Sequence, residues 1–215
     1  MTKHLLFDFD GTLMDSSAGI IRSMKYALAK TRFKEAAEAD TIRRAIGLPL
    51  VPMIQKITGA GSKEAGKIAK EYRKHYAKKG LFMARPYKNI RQVLSRLSSS
   101  HTLFIVSTKP GVFLKRLLKK KNMEKYFAGV YGPGLGYKPT RKAELIRRLV
   151  GDNRIKNTSC VMIGDKAEDI LAAKENSITG IGVAYGYGTR RELKKAGAIS
   201  IISSPDRLIR QVTSI

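Results

Sequence analysis

Residues 159–184 read SCVMIGDKAEDILAAKENSITGIGVA, and this stretch decides the fold. Ser159–Ile163 is a short apolar run of the length and composition of a buried strand. Gly164 and Asp165 end it, and Lys166–Glu175 then keeps helical spacing. Thr179–Val183 is a second apolar run. The same alternation extends outward in both directions. Toward the N-terminus lie helix Ile90–Leu97, strand Thr102–Val106, helix Val112–Lys120, a short strand near Val130-Tyr131 and helix Arg141–Val150. Toward the C-terminus, strand Ala198–Ile202 precedes a helix that Ser204 caps and Pro205 starts. The chain opens on one more buried strand, KHLLFDF at Lys3–Phe9. Strands alternating with helices in this way predict a parallel sheet covered on both faces.

Between Ser16 and about Ala84 no strand signal appears. Ile20, Ile21, Met24, Ala27 and Leu28 keep helical spacing. Weaker helical patterns follow over Ala36–Ile46, Pro49–Ile57 and Lys63–Lys78, until Arg85-Pro86-Tyr87 breaks them. The expected architecture is an α/β core, a Rossmann-like parallel sheet over residues 1–15 and 86–215. A helical cap over residues 16–85 is inserted after its first strand. There is no internal repeat and no low-complexity linker.

A chain of 215 residues fits one large domain, or one carrying an insertion. Its 43% hydrophobic content supports a real core and excludes wholesale disorder. No stretch is long enough to span a membrane. The single cysteine, Cys160, excludes a disulfide framework and a cysteine-cluster zinc site. Its place inside a strand makes it a small core residue. No charged-then-apolar leader opens the chain, so a cytoplasmic protein is expected. Lysine plus arginine number 42 and aspartate plus glutamate 17, a net charge of +25. The basic residues are scattered in pairs and triplets (Arg43-Arg44, Lys119-Lys120-Lys121, Arg190-Arg191) rather than gathered in one tail. They read as a solvated basic surface, with nucleic-acid binding as the rival.

Ligands of open α/β sheets bind beyond the carboxyl ends of the strands. The first strand ends in Asp8-Phe9-Asp10-Gly11-Thr12, another in Ser107-Thr108-Lys109, and a third runs into Gly164-Asp165-Lys166-Ala167-Glu168-Asp169. Several carboxylates and a hydroxyl therefore converge on one edge of the sheet. Such a cluster repels itself and calls for a cation. Alternation along an extended segment sends Asp8 and Asp10 the same way. Gly11 lets the backbone turn closely around a ligand. One carboxylate of such a pair can act as nucleophile while the other trades protons with leaving group and water.

These residues resemble the haloacid dehalogenase superfamily. DFDGTLMDS at Asp8–Ser16 is similar to its first motif, IVSTKP at Ile105–Pro110 to its second, and MIGDKAEDI at Met162–Ile170 to its fourth. Gly182–Leu193 and the AGAISIISSPDRL that follows resemble phosphoglycolate phosphatase-like members. Over the insert the likeness is confined mainly to the IGLPL turn at Ile46–Leu50. The resemblance implies a Mg²⁺-dependent phosphatase acting on a small phosphorylated metabolite, phosphoglycolate being the first guess, with nucleoside monophosphates and pyrophosphate close behind. Asp8 would be the nucleophile that becomes an aspartyl-phosphate, and Asp10 the general acid and base. Mg²⁺ would be held by the Asp8 carboxylate, the Asp10 carbonyl and Asp165, with Asp169 orienting that shell. Ser107 would hold the phosphoryl oxygens, and Gly11, Thr12 and Thr108 would contact the substrate.

The superfamily also needs a lysine between its second and fourth motifs. Lys138 belongs to a Lys-Pro pair that many relatives use. Lys142 has Leu145, Ile146 and Leu149 at i+3, i+4 and i+7, which puts its ammonium on the sheet-facing stripe. That placement is costly unless anions face it, and Lys142 is preferred. Lys166 departs from the small hydroxyl residue common among relatives. Arg44 either reaches the substrate from the cap or belongs to a solvated helix face. His4, His75 and His101 read as structural or surface residues, and Gly132–Gly136 as a turn. Two rival functions are a sugar phosphomutase of the same superfamily and a basic nucleic-acid-binding protein on an inactive fold.

Overall fold

The computed structural model describes residues 3–135 and 140–215, which divide into two compact units: residues 3–14 with 86–215, and residues 15–85. In the first unit six strands form one parallel sheet. They are β1 (His4–Phe7), β2 (Thr102–Val106), β3 (Gly129–Tyr131), β4 (Cys160–Gly164), β5 (Thr179–Val183) and β6 (Ser200–Ile202). Their order across the sheet is β3-β2-β1-β4-β5-β6. The central strand β1 pairs on one side with β2 (Phe7 opposite Ile105) and on the other with β4 (Phe7 opposite Ile163). The chain thus adds strands outward from β1 in one direction and then, after β3, in the other. That reversal opens a crevice at the carboxyl end of β1.

The other unit is mainly helical, with α1 (Ser17–Leu28), α2 (Ala39–Ala45), α3 (Leu50–Thr58) and α4 (Ser62–His75). One turn of π-helix, Tyr76–Gly80, continues α4. Met24, Leu28, Ile42, Ile54, Ala69 and Leu81 are buried, which is the apolar stripe of α1 and its partners. His75 is a packing residue here: its Nδ1 lies 3.0 Å from the Ser23 hydroxyl and its ring stacks on Tyr26 at 4.3 Å.

The core unit adds six helices: α5 (Ile90–Ser98), α6 (Gly111–Lys120), α7 (Lys142–Asn153), α8 (Ala167–Glu175), α9 (Arg190–Ala196) and α10 (Arg207–Thr213). On one face of the sheet, Leu6, Phe104, Val106, Cys160 and Met162 pack against Ala143, Leu145, Ile146 and Leu149 of α7 and Ala172 and Ala173 of α8. Burial of a side chain the size of leucine contributes about 1.5–3 kcal/mol, so this layer anchors α7 firmly. Cys160 is buried among these residues, and burial pushes its thiol up to about 11.

Two local expectations are corrected. The last helix begins at Arg207 rather than Pro205, because Ser204 and Pro205 are used in turns that accept from the Arg207 and Leu208 N–H groups. Helix α9 was not anticipated. Its start is marked by Thr189, whose hydroxyl accepts from the Glu192 N–H at 3.2 Å, a Thr-x-x-Glu capping pattern visible in the sequence.

Candidate active site

The site is assembled from loops that leave β1, β2, β4 and β5 at one edge of the sheet, together with the first turn of α7. The Asp8 N–H donates to the Ile163 carbonyl at 2.9 Å, so the ladder carries the backbone one residue beyond β1. Beyond it the chain turns at Gly11, whose φ of +89° lies in the region that favours glycine. The Gly11 N–H donates to the Met14 carbonyl and closes the turn. β2 is extended likewise: the Ser107 N–H donates to the Tyr131 carbonyl at 3.0 Å.

Asp8, Asp165 and Asp169 are buried, and each brings one carboxylate oxygen within 4.8 Å of the others. The Lys142 ammonium stands 2.9 Å from Asp8 Oδ1 and donates also to Asp169. The second Asp169 oxygen accepts from the Lys166 N–H at 2.9 Å. Asp165 accepts from the Thr12 hydroxyl at 3.3 Å and from the Tyr187 N–H at 2.8 Å. Burial raises Asp8 to about 6, although Lys142 pulls it down. Burial, with the charges of Asp169 and Asp8 added, raises Asp165 to about 8. For Lys142 burial acts downward, but Asp169 and Asp8 outweigh it and hold the ammonium above its ordinary value. The carboxylate least compensated by cations is therefore Asp165. An all-oxygen donor set of this kind suits a hard divalent cation such as Mg²⁺, and removing the mutual repulsion is what such an ion would do.

Asp10 is held separately. Lys109 Nζ donates to both Asp10 carboxylate oxygens, at 3.0 and 2.8 Å, and the lysine side chain is only 6% exposed. The Lys109 N–H also donates to the Ser107 hydroxyl at 3.4 Å.

Of the residues singled out in the sequence, Asp8, Asp10, Gly11, Ser107, Lys142, Asp165 and Asp169 stand at this edge, with Thr108 half-buried beside Ser107. Thr12 is fully buried, and its hydroxyl donates to Asp165. Arg44 is exposed in the last turn of α2, in the helical unit. Lys138 lies outside the described residues. Lys166, the departure from the superfamily pattern, donates to the Tyr187 carbonyl at 3.3 Å and stands 4.0 Å from Glu192.

Two contributors were not foreseen. One is Lys109. The other is the Tyr185–Gly188 loop after β5, where the Tyr185 hydroxyl donates to the Thr12 carbonyl at 3.0 Å. A Cβ at Gly186 would lie 2.3 Å from the Gly11 carbonyl oxygen and 2.4 Å from Asp165 Cβ. The loop can approach the Asp8–Gly11 turn only because that position has no side chain. The repeated Gly-Tyr-Gly of residues 186–188 was the available signal.

Fold and site together define a class: an α/β protein with a parallel sheet whose carboxyl edge carries clustered carboxylates and buried ammonium groups. The chain belongs to the haloacid dehalogenase-like hydrolases, whose family model matches residues 5–183. A 5′-nucleotidase of Pseudomonas aeruginosa is 35% identical over 192 residues, covering 89% of this chain and 86% of that protein. A phosphoglycolate phosphatase of Psychrobacter arcticus is 30% identical over 207 residues, covering 91% and 89%. Among solved structures, one described as a predicted phosphatase from Clostridium acetobutylicum superposes with a TM-score of 0.91, at 32% identity and full coverage of both chains.

Proposed function

We propose that this phosphoric monoester hydrolase releases phosphate from a small phosphorylated metabolite, with Mg²⁺, through a phosphoryl group carried on Asp8. The observation that carries the reading is the placement of buried Asp8 between the Lys142 ammonium, 2.9 Å away, and the Asp165 carboxylate.

The Asp8 carboxylate, the Asp10 carbonyl and Asp165 would hold Mg²⁺, which supplies positive charge to the phosphoryl oxygens when bound. Lys142 and the Ser107 hydroxyl neutralise the remaining oxygens. Asp8 attacks phosphorus in line, the bond to the leaving oxygen breaks, and Asp10 delivers its proton to that oxygen. Asp10 then takes a proton from the water that attacks the aspartyl-phosphate, and Asp8 is regenerated. Asp169 keeps Lys142 aimed at Asp8 by pairing with it, while Thr12 holds Asp165. Residues 16–85 serve as the cap that admits substrate and excludes water, with Arg44 as its candidate substrate contact.

The relatives support two substrates. The phosphoglycolate phosphatases favour 2-phosphoglycolate, whereas the 5′-nucleotidase, at the higher identity, favours a nucleoside 5′-monophosphate. A phosphate-release panel containing 2-phosphoglycolate, AMP, pyrophosphate and a hexose phosphate, with Mg²⁺ and with EDTA, decides between them. Turnover that EDTA abolishes is expected. Isomerisation of the hexose phosphate without phosphate release would overturn the hydrolase reading in favour of a mutase. Salt-sensitive nucleic-acid binding without any phosphatase activity would favour the rival binding protein.

A further inference from the structure

We infer that Lys109 is a positioning residue for Asp10, holding the proton-trading carboxyl in the orientation that the departing oxygen requires. The inference rests on the general acid role proposed above for Asp10. The observations are geometric. Asp10 sits on the turn after Asp8, where rotation about its side-chain bonds would swing the carboxyl through a wide arc. Lys109 removes that freedom by donating to both oxygens, at 3.0 and 2.8 Å. Each carboxylate oxygen has two lone pairs. An ammonium bonded to both oxygens fixes the plane of the carboxylate.

The lysine is itself held. Its side chain is 6% exposed, while that of Asp10 is 20% exposed, so the pair points from the protein interior outward. Nζ also lies 5.8 Å from the centre of the Phe9 ring, over its face. The backbone of Lys109 donates to Ser107, so one residue ties the proton-trading group to the hydroxyl proposed for the phosphoryl oxygens. Both lie on loops that leave adjacent strands, β1 and β2, and Lys109 sets their spacing. A lysine buried only to stabilise the fold would not need to join two reacting groups.

The consequence is specific to the chemistry. An alkoxide leaves only with a proton, whereas p-nitrophenolate leaves without one. The value of kcat/KM reports the steps up to departure of the leaving group, so later hydrolysis of the aspartyl-phosphate does not enter. In Lys109→Met, kcat/KM should fall about 10²-fold for 2-phosphoglycolate or AMP, whichever is turned over, but change no more than about threefold for p-nitrophenyl phosphate. Lys109→Arg, which keeps the charge at this site, should recover part of the loss on the alkyl phosphate. It also makes the comparison independent of how well the methionine variant folds. Equal losses on both substrates, or no loss on either, in both variants would overturn the inference, since a group that grips the phosphoryl oxygens or merely supports the fold cannot tell the leaving groups apart. Asp10→Asn separates this failure from failure of the underlying reading. If that variant shows the selective loss and the Lys109 variants do not, Asp10 is the acid and Lys109 does not position it. If Asp10→Asn shows no selective loss, the acid role itself is wrong.

Discussion

Lys142→Met tests the site at the point where its electrostatics are most concentrated. Methionine keeps the chain length and apolar stem, and removes only the ammonium. That ammonium is buried and stands between Asp8 and Asp169. Taking away one partner of a buried ion pair costs about 3–5 kcal/mol, because the remaining charge is left uncompensated. For a chain of this size that is a fall of roughly 10 °C in Tm. The loss in activity comes from a separate source. Removing one preorganised donor to a developing oxyanion costs about 10²–10³-fold in kcat, and here the same change also leaves Asp8 without its counter-charge. Phosphate release should therefore fall by ~10³-fold or more, with the fold retained by circular dichroism.

The companion change is Asp169→Asn in the same chain. It removes the stranded carboxylate while preserving an acceptor for the Lys166 N–H. Part of the lost Tm should return and none of the activity. Lys138→Met should keep most of its turnover. A Lys142→Met enzyme within about tenfold of the parent kcat, or a Lys138→Met enzyme more impaired than it, would refute the assignment.

Three further expectations follow from the same geometry. Asp8→Asn, which keeps the volume and removes the nucleophilic oxygen, should fold normally and show no turnover, whereas Asp10→Asn should retain a trace after a loss of about 10²–10⁴-fold; phosphate release measures both. Gly186→Ala places a methyl group 2.3 Å from the Gly11 carbonyl oxygen, so it should lower stability by about 1–3 kcal/mol and weaken the Mg²⁺ dependence of activity; an unchanged Mg²⁺ titration would refute the loop's role in holding Asp165. Asp8 and Asp165 are raised to about 6 and about 8 from an ordinary 3.8, so the folded state favours their neutral forms. The contribution of these two carboxyls to stability in EDTA should then be greatest below about pH 4 and decline as the pH climbs toward about 8. Mg²⁺ should restore more Tm at the alkaline end, and a flat Tm profile in EDTA would contradict it.

The sheet was legible because its strands are buried on both faces, which makes them short apolar runs bounded by breakers. Thr102–Val106 and Thr179–Val183 run over the spans read from the sequence. Helix α9 escaped because only two of its seven residues, Leu193 and Ala196, are buried, too few to make a stripe. The site residues on strand ends were legible for a topological reason. In a parallel sheet all carboxyl ends lie at one edge, so residues far apart in sequence can be placed together without knowing a single side-chain direction. Lys142 was reachable by a second route, since an ammonium on an apolar helical stripe demands anions in front of it. For Lys109 the strand end marked the place but not the role. It lies three residues past the end of β2, where the direction of a side chain depends on the turn and not on the period of the strand. The hydrogen bond from Tyr185 to Thr12 joins residues 173 positions apart through a loop with no apolar pattern at all.

Charge balance links these pieces to the proposed metal. With all four ionised, Asp8, Asp10, Asp165 and Asp169 bring four negative charges to the edge of the sheet. Lys142 and Lys109 bring two positive ones, each bonded directly to those carboxylates. Lys166 does not add to them, since its ammonium is turned toward Glu192 and the Tyr187 carbonyl. Four minus two leaves two negative charges, and burial, with the charges of Asp169 and Asp8 added, raises Asp165 to about 8. A monovalent ion would halve the excess; a divalent one would cancel it. With the excess cancelled, a phosphate dianion would meet less repulsion on its way to Asp8, and the burial that raises Asp8 and Asp165 would be opposed by a cation beside them. The proposed metal, the proposed nucleophile and the substrate anion would be coupled through one electrostatic sum, so activity should follow Mg²⁺ occupancy even where the metal makes no difference to the fold.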